Sequence, residues 1–492
     1  MKKIRFISLL LVIVMLVAAA VSCAESKTET DETTADTSAE VKETEIEEET
    51  RAPHKVPEEL DFDGEVFTTL YPIWQGYTYY FFVESEEECI DSMSEAIYKR
   101  QCKVEEELNV KLEQVDTGDG SVAKVYTMLQ LSVTASDDAY QQVLFHCIYD
   151  VSNSVTTGML YNLDDLNYTD FDADWWNKEM MDELRLGTKT YYGVSDYMLP
   201  CPYVIFYNKE MVENKQLGNP YQLVYDHEWT IDKMFEMGRA VIEDVDSDGS
   251  YTEEDIWGIS LDERSKMIPF ITSSNQFITE KDENGKIVLA INTEKTDNII
   301  NKFKSYLQDD GALYWPEKGQ NRTFDLSSGK ILFDLRDITS GELYRNCEID
   351  VGMLPYPLYD ENQEEYVSLD WGGLMGVPST ISNPDMVGAV LELLAYYSEE
   401  TVIANYYGVV LDGKIARDED SEAMIDLMFD TIAYEIGGNY FGFTEGFTQL
   451  FYMASNIVLY KYANDFASWY AKYEKAANNA ITKFYSSLAK YE

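Results

Sequence analysis

Basic side chains are scarce. The chain of 492 residues carries 38 Lys and Arg against 90 Asp and Glu, a formal charge of −52. Such a field repels phosphate backbones and anionic lipid, which excludes nucleic acid as a partner and electrostatic docking on a membrane surface. Histidine is nearly absent, with three residues: His54, His146 and His227. His54 lies in a Pro-flanked linker, His146 in an apolar run and His227 in a polar turn, so none reads as a general base. Cysteine is limited to six, with no close CxxC or Cys/His cluster, which leaves a zinc site without ligands. There is no GxSxG elbow, HExxH pair or Walker A loop. In a chain this acidic, some carboxylate pair always resembles a glycosidase dyad, and such a pair gains meaning only at a measured separation. Catalytic readings therefore find little support in these motifs.

The amino terminus is distinctive. Lys2, Lys3 and Arg5 form a basic head, Phe6 to Val21 is almost wholly apolar, and Ala20-Val21-Ser22 leads into Cys23. This is the pattern of a signal peptide. The run is short for a membrane span and a polar tail follows it. The cysteine gives it the look of a bacterial lipoprotein signal, with Cys23 as the lipidated first residue of the mature chain. Ala24 to Thr50 holds eleven acids and two lysines and no aromatic residue. It cannot bury enough to fold, and its like charges keep it extended as a tether. The expected place is the extracellular face of the cell membrane, lipid-anchored. The other cysteines, Cys89, Cys102, Cys147, Cys201 and Cys347, are odd in number and cannot all pair within the chain. They read mostly as small buried groups.

The length exceeds one ordinary core, and two lobes are expected. From Val66 to Ile148 the pattern is strand, helix, strand, helix, strand, the order of a mostly parallel sheet. The first helix is expected from Asp91 to Leu108, with Ile90, Met93, Ile97, Val104 and Leu108 on one side. Further strands are expected at Tyr191 to Ser195, Val204 to Asn208, Trp257 to Leu261 and Ile287 to Ile291, and a turn and strand within Phe324 to Leu335. Thr230 is placed to cap a helix through about Glu243, and another helix is expected from about Thr296 to Gln308. Asp350 to Tyr397 organises the rest: an extended run, a Pro-Tyr-Pro turn, a Gly-rich segment carrying Trp371, and a helix opened by Asn383 and Pro384 as N-cap and N1. It could leave one lobe, cross a hinge and dock a helix on the other. A helix is expected from Asp420 to Ile436, ended by Gly437-Gly438. Gly446 to Tyr491 has long-helix composition. The division is thus 1–22 signal, 23–60 tether, 61–170 and 370–400 lobe 1, 171–369 and 401–492 lobe 2.

Two constellations stand out. Asp244 to Asp255 reads DVDSDGSYTEED. Asp244, Asp246, Asp248 and Asp255 fall on the carboxylate positions of a calcium loop, Gly249 on its turn, and Ser250 where a carbonyl serves. Asp255 replaces the usual Glu. A strand follows, so this would be an isolated structural calcium site and not an EF-hand; the alternative is a solvated acidic helix end. The second constellation is aromatic: 37 Tyr, 8 Trp and 21 Phe. Trp74, Tyr77, Tyr79, Trp175, Trp176, Tyr203 and Trp371 cluster where loops leave expected strands. Their faces suit the C–H faces of sugar rings, and Asp334, Arg336 and Asp370 are available for hydroxyls. Core or hinge packing is the competing reading for each.

From Gly64 to about Gly438 the chain resembles the carbohydrate-binding lipoproteins of ABC importers, extracellular solute-binding family 1. The residues that carry the resemblance are LNYTDFDADWW from Leu166, YYGVSDYMLPCPYVIFYNK from Tyr191, NPYQLVYDHEWTID from Asn219, FDLSSGKILFD from Phe324, GMLPYPLYDENQEEY from Gly352 and KIARDEDSEAM from Lys414. The resemblance implies a two-lobed α/β fold of the periplasmic-binding-protein type with a hinge, maltose-binding-protein-like topology and a helical C-terminal region. It implies a monomer without a catalytic cofactor that captures an oligosaccharide or other sugar between its lobes and delivers it to membrane permease subunits. It points to Trp74 and Tyr77 on the early loop and to Trp371 where the chain returns to the first lobe. The strand ending Phe333-Asp334-Leu335-Arg336 lacks the Trp of some maltose-type members. A surface glycan-binding lipoprotein uncoupled from an importer is the alternative, followed by a secreted glycosidase.

Overall fold

Two sheets account for the main strands. The computed structural model describes residues 52–491, apart from 73–81, 84, 119–121, 196–197, 317–322, 371 and 407–417. Cys23, the tether, Trp74, Tyr77, Tyr79 and Trp371 therefore lie outside the described residues. The strands are β1 (Glu65–Tyr71), β2 (Val110–Asp116), β3 (Gln142–His146), β4 (Tyr203–Asn208), β5 (Trp257–Leu261), β6 (Thr279–Lys281), β7 (Ile287–Leu289), β8 (Leu313–Tyr314), β9 (Ile331–Asp337), β10 (Val351–Leu354), β11 (Ser368–Leu369), β12 (Gly373–Gly376) and β13 (Ile432–Ala433).

The first sheet has the order β12-β3-β1-β2. β1 runs parallel to both β2 and β3, and β12 returns antiparallel to β3. β3 reads QVLFH and is buried along its length, as a central strand covered on both faces must be. The second sheet has the order β10-β4-β9-β5-β8, with β4 antiparallel to β10 and β9 and the pairs β9–β5 and β5–β8 parallel. The stretch from Asp350 behaves as its pattern predicts. β10 belongs to the second sheet, β11 pairs with β13 in a two-stranded connection, and β12 joins the first sheet. Asn383 then caps helix Pro384–Ser398 by accepting from Met386 N at 3.2 Å, with Pro384 in its first turn. That helix is buried on nearly every side against helix Ser92–Leu108.

Local signals set the boundaries. Asp91 and Ser94 form a reciprocal capping box at the start of Ser92–Leu108. This places Ile90 outside the helix, 75% exposed, and corrects its expected place on the apolar side. Thr230 caps helix Ile231–Val241 by accepting from Lys233 N at 3.2 Å. Tyr191 to Ser195 makes only isolated bridges, Gly193 to Met375 and Ser195 to Trp176, and is no regular strand.

The C-terminal region departs from its expected helices. Helix Glu419–Asp430 stops before β13, and Gly437 and Gly438 lie inside the next helix, Ile436–Phe441. Thr431 hydroxyl bonds back to Leu427 O at 2.8 Å while its backbone moves on to pair with β11. The long-helix composition from Gly446 resolves into Phe447–Phe451, Met453–Val458 and Phe466–Leu488. The last break falls where Lys461 takes a left-handed φ of 54° and Asp465 caps the following helix.

Candidate functional site

In α/β sheets ligands collect outside the carboxyl ends of parallel strands. β3 ends at His146, which pairs with Gly373. β9 ends at Asp337, which pairs with Tyr203, and β5 ends at Leu261. Pro202 bridges Asp370, so the end of the second sheet meets the entry to β12. Asp370 fixes that junction. Its carboxylate accepts from Cys201 N at 2.6 Å and from Gly372 N at 2.9 Å. The carboxyl ends of β3 and β9 therefore both lie close to this junction.

One wall begins where β3 ends. Tyr149 stacks on Phe443 with centroids 4.3 Å apart and 24° between planes. His146 meets Tyr149 edge-on at 5.1 Å. Burial lowers the His146 imidazole to about 3, so it is neutral and accepts at Nδ1 from Ile148 N at 3.3 Å. Opposite, the segment after β5 carries Glu263 and Arg264. The Arg264 guanidinium sits 3.9 Å from the centroid of the Tyr452 ring, a cation–π contact. Burial raises the Tyr149 hydroxyl; Glu263 raises it further and Arg264 opposes, which places both charges within electrostatic reach of that ring. Tyr149 after β3, Glu263 and Arg264 after β5, and Phe443 and Tyr452 from the C-terminal helical region come together here.

Deeper in the second edge lies an ion-pair network. Asp334 is 0% exposed. It accepts from Ser260 Oγ at 2.7 Å, from Arg336 Nε at 3.1 Å and from the Tyr344 hydroxyl. Arg336 reaches on to Asp262 at 2.8 Å. Lys266 pairs with Asp337 at 2.8 Å and lies 4.9 Å from the Tyr203 ring centroid. Burial pushes the Asp337 carboxyl up, but Lys266 and the hydroxyls of Thr339 and Ser340 outweigh it and hold it at about 2. Asp334, Arg336 and Tyr203 thus stand together beneath the strand ends, buried. Trp175 stands apart from this network. Its Nε1 donates to Glu392 at 3.1 Å, Trp176 Nε1 donates to the same carboxylate at 2.8 Å, and Asp170 N adds a third bond at 3.0 Å. Trp175 is a core residue that pins the LNYTDFDADWW segment to helix Pro384–Ser398.

The acidic loop lies elsewhere, between helix Ile231–Val241 and β5. Asp244, Asp246 and Asp255 each offer a carboxylate oxygen, all within 4.8 Å of one another, a group able to coordinate a divalent cation. Gly249 supplies the turn at φ 80°. Asp248 is outside this trio and accepts from Ser250 N at 2.7 Å. The Asp248 backbone bond pulls the Asp246 carboxyl down. Burial and the carboxylates of Asp248, Asp244 and Asp255 outweigh it, and Asp246 titrates above its ordinary value.

Sequence reasoning did not single out Tyr149, Glu263, Arg264, Phe443 or Tyr452. Tyr149 stands one residue past the expected strand end at Ile148, and Arg264 three past Leu261, so the rule of strand ends points to both. Phe443 and Tyr452 come from the broken C-terminal helices and carry no such signal. A concavity of about 380 Å³ lies nearby, between helices Val151–Thr156 and Phe466–Leu488, lined by Asn153, Glu445, Asn479 and Lys483 among others. Its aromatic linings, Phe441 and Phe484, are core residues. The convergence of both strand edges, not cavity size, therefore marks the candidate site. Among the described residues Cys89, Cys102 and Cys147 are free thiols; Cys147 is buried and Cys102 is exposed.

No family model and no curated protein matches this sequence. Solved structures do match. The galacto-N-biose-/lacto-N-biose I-binding protein of the ABC transporter from Bifidobacterium longum, in complex with lacto-N-biose, is 12% identical with a TM-score of 0.58, over 86% of this chain and 98% of that one. The ABC substrate-binding protein from Listeria monocytogenes in complex with cycloalternan is 12% identical with a TM-score of 0.54, over 87% of this chain and 100% of that one. The GacH receptor of Streptomyces glaucescens, solved unliganded and with acarbose, is 14% identical with a TM-score of 0.53, over 87% and 100%. At such identity the likeness establishes the fold. This chain has the two-lobed α/β fold of the periplasmic-binding-protein type, with the topology of maltose-type sugar-binding proteins and a helical C-terminal segment.

Proposed function

We propose that this chain is the substrate-binding subunit of a carbohydrate ABC importer, capturing an oligosaccharide in the cleft without altering it. The observation that carries the reading is the convergence of Tyr149, Phe443, Glu263, Arg264 and Tyr452 where the two sheets' carboxyl edges meet. Ring faces remove the C–H faces of a sugar from water at about 25 cal/mol per Å². Arg264 and Glu263 then offer a donor and an acceptor to its hydroxyls. Asp334, Arg336 and Tyr203 support this edge from below, and Asp370 holds the crossing between lobes. Trp74, Tyr77 and Trp371 join the ligand-facing set on sequence grounds. The fold shared with proteins solved in complex with sugars supports the same reading. Anchoring through Cys23 on the extracellular face of the membrane and delivery to permease subunits complete it.

Calorimetry of the mature protein against a glycan panel tests this. One glycan class should bind with micromolar affinity, about −8 kcal/mol, and emerge chemically unchanged. Exclusive binding of peptides or amino acids, or a cleaved glycan product, would refute the proposal.

A further inference from the structure

A second group of aromatics lies along the second lobe, outside the site just described. Tyr460 and Tyr462 stack with centroids 5.1 Å apart and 10° between planes, and Tyr462 lies nearly parallel to Trp469, 6.3 Å away at 19°. Tyr460 meets Trp315 edge-on at 6.1 Å. Tyr462 is 62% exposed and Tyr460 38%. A centroid separation of 5.1 Å exceeds the contact distance of two rings, so the pair is slipped and part of each face stays open.

The arrangement is fixed by the backbone. Tyr460 N and Tyr462 N donate to Ser455 O and Asn456 O, at 3.0 and 2.9 Å, wrapping the chain over the end of helix Met453–Val458. Between them Lys461 takes a φ of 54°, a conformation that costs a non-glycine residue energy and that sets its two neighbours side by side. Trp469 Nε1 is tied to Gln449 O at 2.8 Å, which anchors the base of the column. Tyr462 in particular keeps most of its surface in water beside this strained turn.

Continuity with the cleft gives the group a meaning. Tyr452, stacked under Arg264, immediately precedes helix Met453–Val458, and Ser455 Oγ bonds to Arg264 O at 2.6 Å. Tyr460 comes just beyond the other end of that helix, about 10 Å on by helical rise. Trp315 extends β8, which runs parallel to β5, so it leaves the sheet at the same end as Arg264. Trp315, in edge contact with Tyr460, therefore places this aromatic group at the carboxyl edge of the second sheet, the edge that also carries Arg264. Lys472 lies 5.5 Å from the Trp469 centroid, at the base of the column.

We propose that Tyr460 and Tyr462 form an outer subsite for the distal residues of an uncharged oligosaccharide whose inner end occupies the cleft, so that this chain prefers longer sugars to disaccharides. The inference rests on the reading of the cleft as a sugar site. The test is calorimetry with the disaccharide to hexasaccharide members of the α-1,4-glucan and β-1,4-mannan series, on the full mature chain and on Tyr462→Ala. In whichever series binds, the hexasaccharide should bind about tenfold more tightly than the disaccharide. Tyr462→Ala should abolish that gain, with disaccharide affinity and melting temperature held. A flat chain-length profile, or a hexasaccharide indifferent to Tyr462→Ala, overturns this inference alone. Failure of every member of both series to bind wild-type protein overturns it together with the reading on which it rests.

Discussion

At the carboxyl edge of the first sheet, Tyr149 and Phe443 present ring surfaces, and the histidine beside them is neutral. At the edge of the second, Asp262, Asp334, Asp337, Arg336 and Lys266 are drawn into pairs beneath the strand ends. The difference follows from what each edge has to bury. β9 carries Asp334 into the sheet interior, and a buried carboxylate must be met by donors. Once Ser260, Tyr344 and Arg336 meet it, its capacity is largely committed, and the same holds for Arg336 between two aspartates. Polar residues at a strand end are thus not by themselves ligand contacts. The groups left facing the opposite wall, Glu263 and Arg264, belong to the turn after the strand.

The largest effect expected from breaking this contrast is on the buried network. Asp334→Ala removes the buried carboxylate that Ser260, Arg336 and Tyr344 share, leaving Arg336 to Asp262, and should cost about 3–5 kcal/mol in denaturant unfolding. The matching change on the first wall, Phe443→Ala, acts on a residue 44% exposed and should cost far less. Equal losses would break the comparison.

A second expectation concerns pH. Glu435 is buried and accepts from Ile278 N at 2.7 Å and Thr279 Oγ1 at 2.9 Å. Burial raises its carboxyl to about 7 against those bonds. A raised folded value means that its contribution is full below the unfolded value near 4.5 and is lost as pH rises through 7. Stability from this group should fall by about 1.4 kcal/mol per unit over that window. Glu435→Gln should flatten the slope in melts recorded from pH 4.5 to 8. Asp337, held at about 2, has the opposite sign: its contribution is present above 3.8 and is lost as pH falls through 2.

The smallest effect is expected at the acidic loop. A cation on Asp244, Asp246 and Asp255 would stabilise the folded chain by mass action. EDTA should lower the melting temperature by about 2–4 °C, and Asp246→Ala should remove that response. Absence of calcium uptake by calorimetry would end the expectation.

Much of the fold was legible because its signals are local. The β1-to-β3 order, the Thr230 and Asn383 caps, and the crossover through β10, β11 and β12 each follow from periodicity or capping chemistry within a few residues. The end of the helix at Asp430 was not, because the pull of β11 on Ile432 is a long-range pairing that helical periodicity does not record. The break at Lys461 is similar, since its composition is helical and its turn is held by tertiary contacts. The site was legible only in part. Asp334, Arg336, Asp370 and Tyr203 do gather at the strand ends, but whether a polar group faces solvent or a buried partner depends on residues distant in sequence. Trp175 shows the same difficulty, since Glu392, more than two hundred residues away, makes it part of the core.

The central claim is that sugar binds between Tyr149 and Arg264 without those residues holding up the fold. Calorimetric titration of wild type, Tyr149→Ala and Arg264→Ala with the glycan that binds best, alongside melting curves, tests it most directly. Each substitution should weaken binding at least tenfold, about 1.4 kcal/mol, with the melting temperature within a few degrees of wild type. Wild-type affinity in both variants, or no glycan ligand for the wild-type chain, would contradict it.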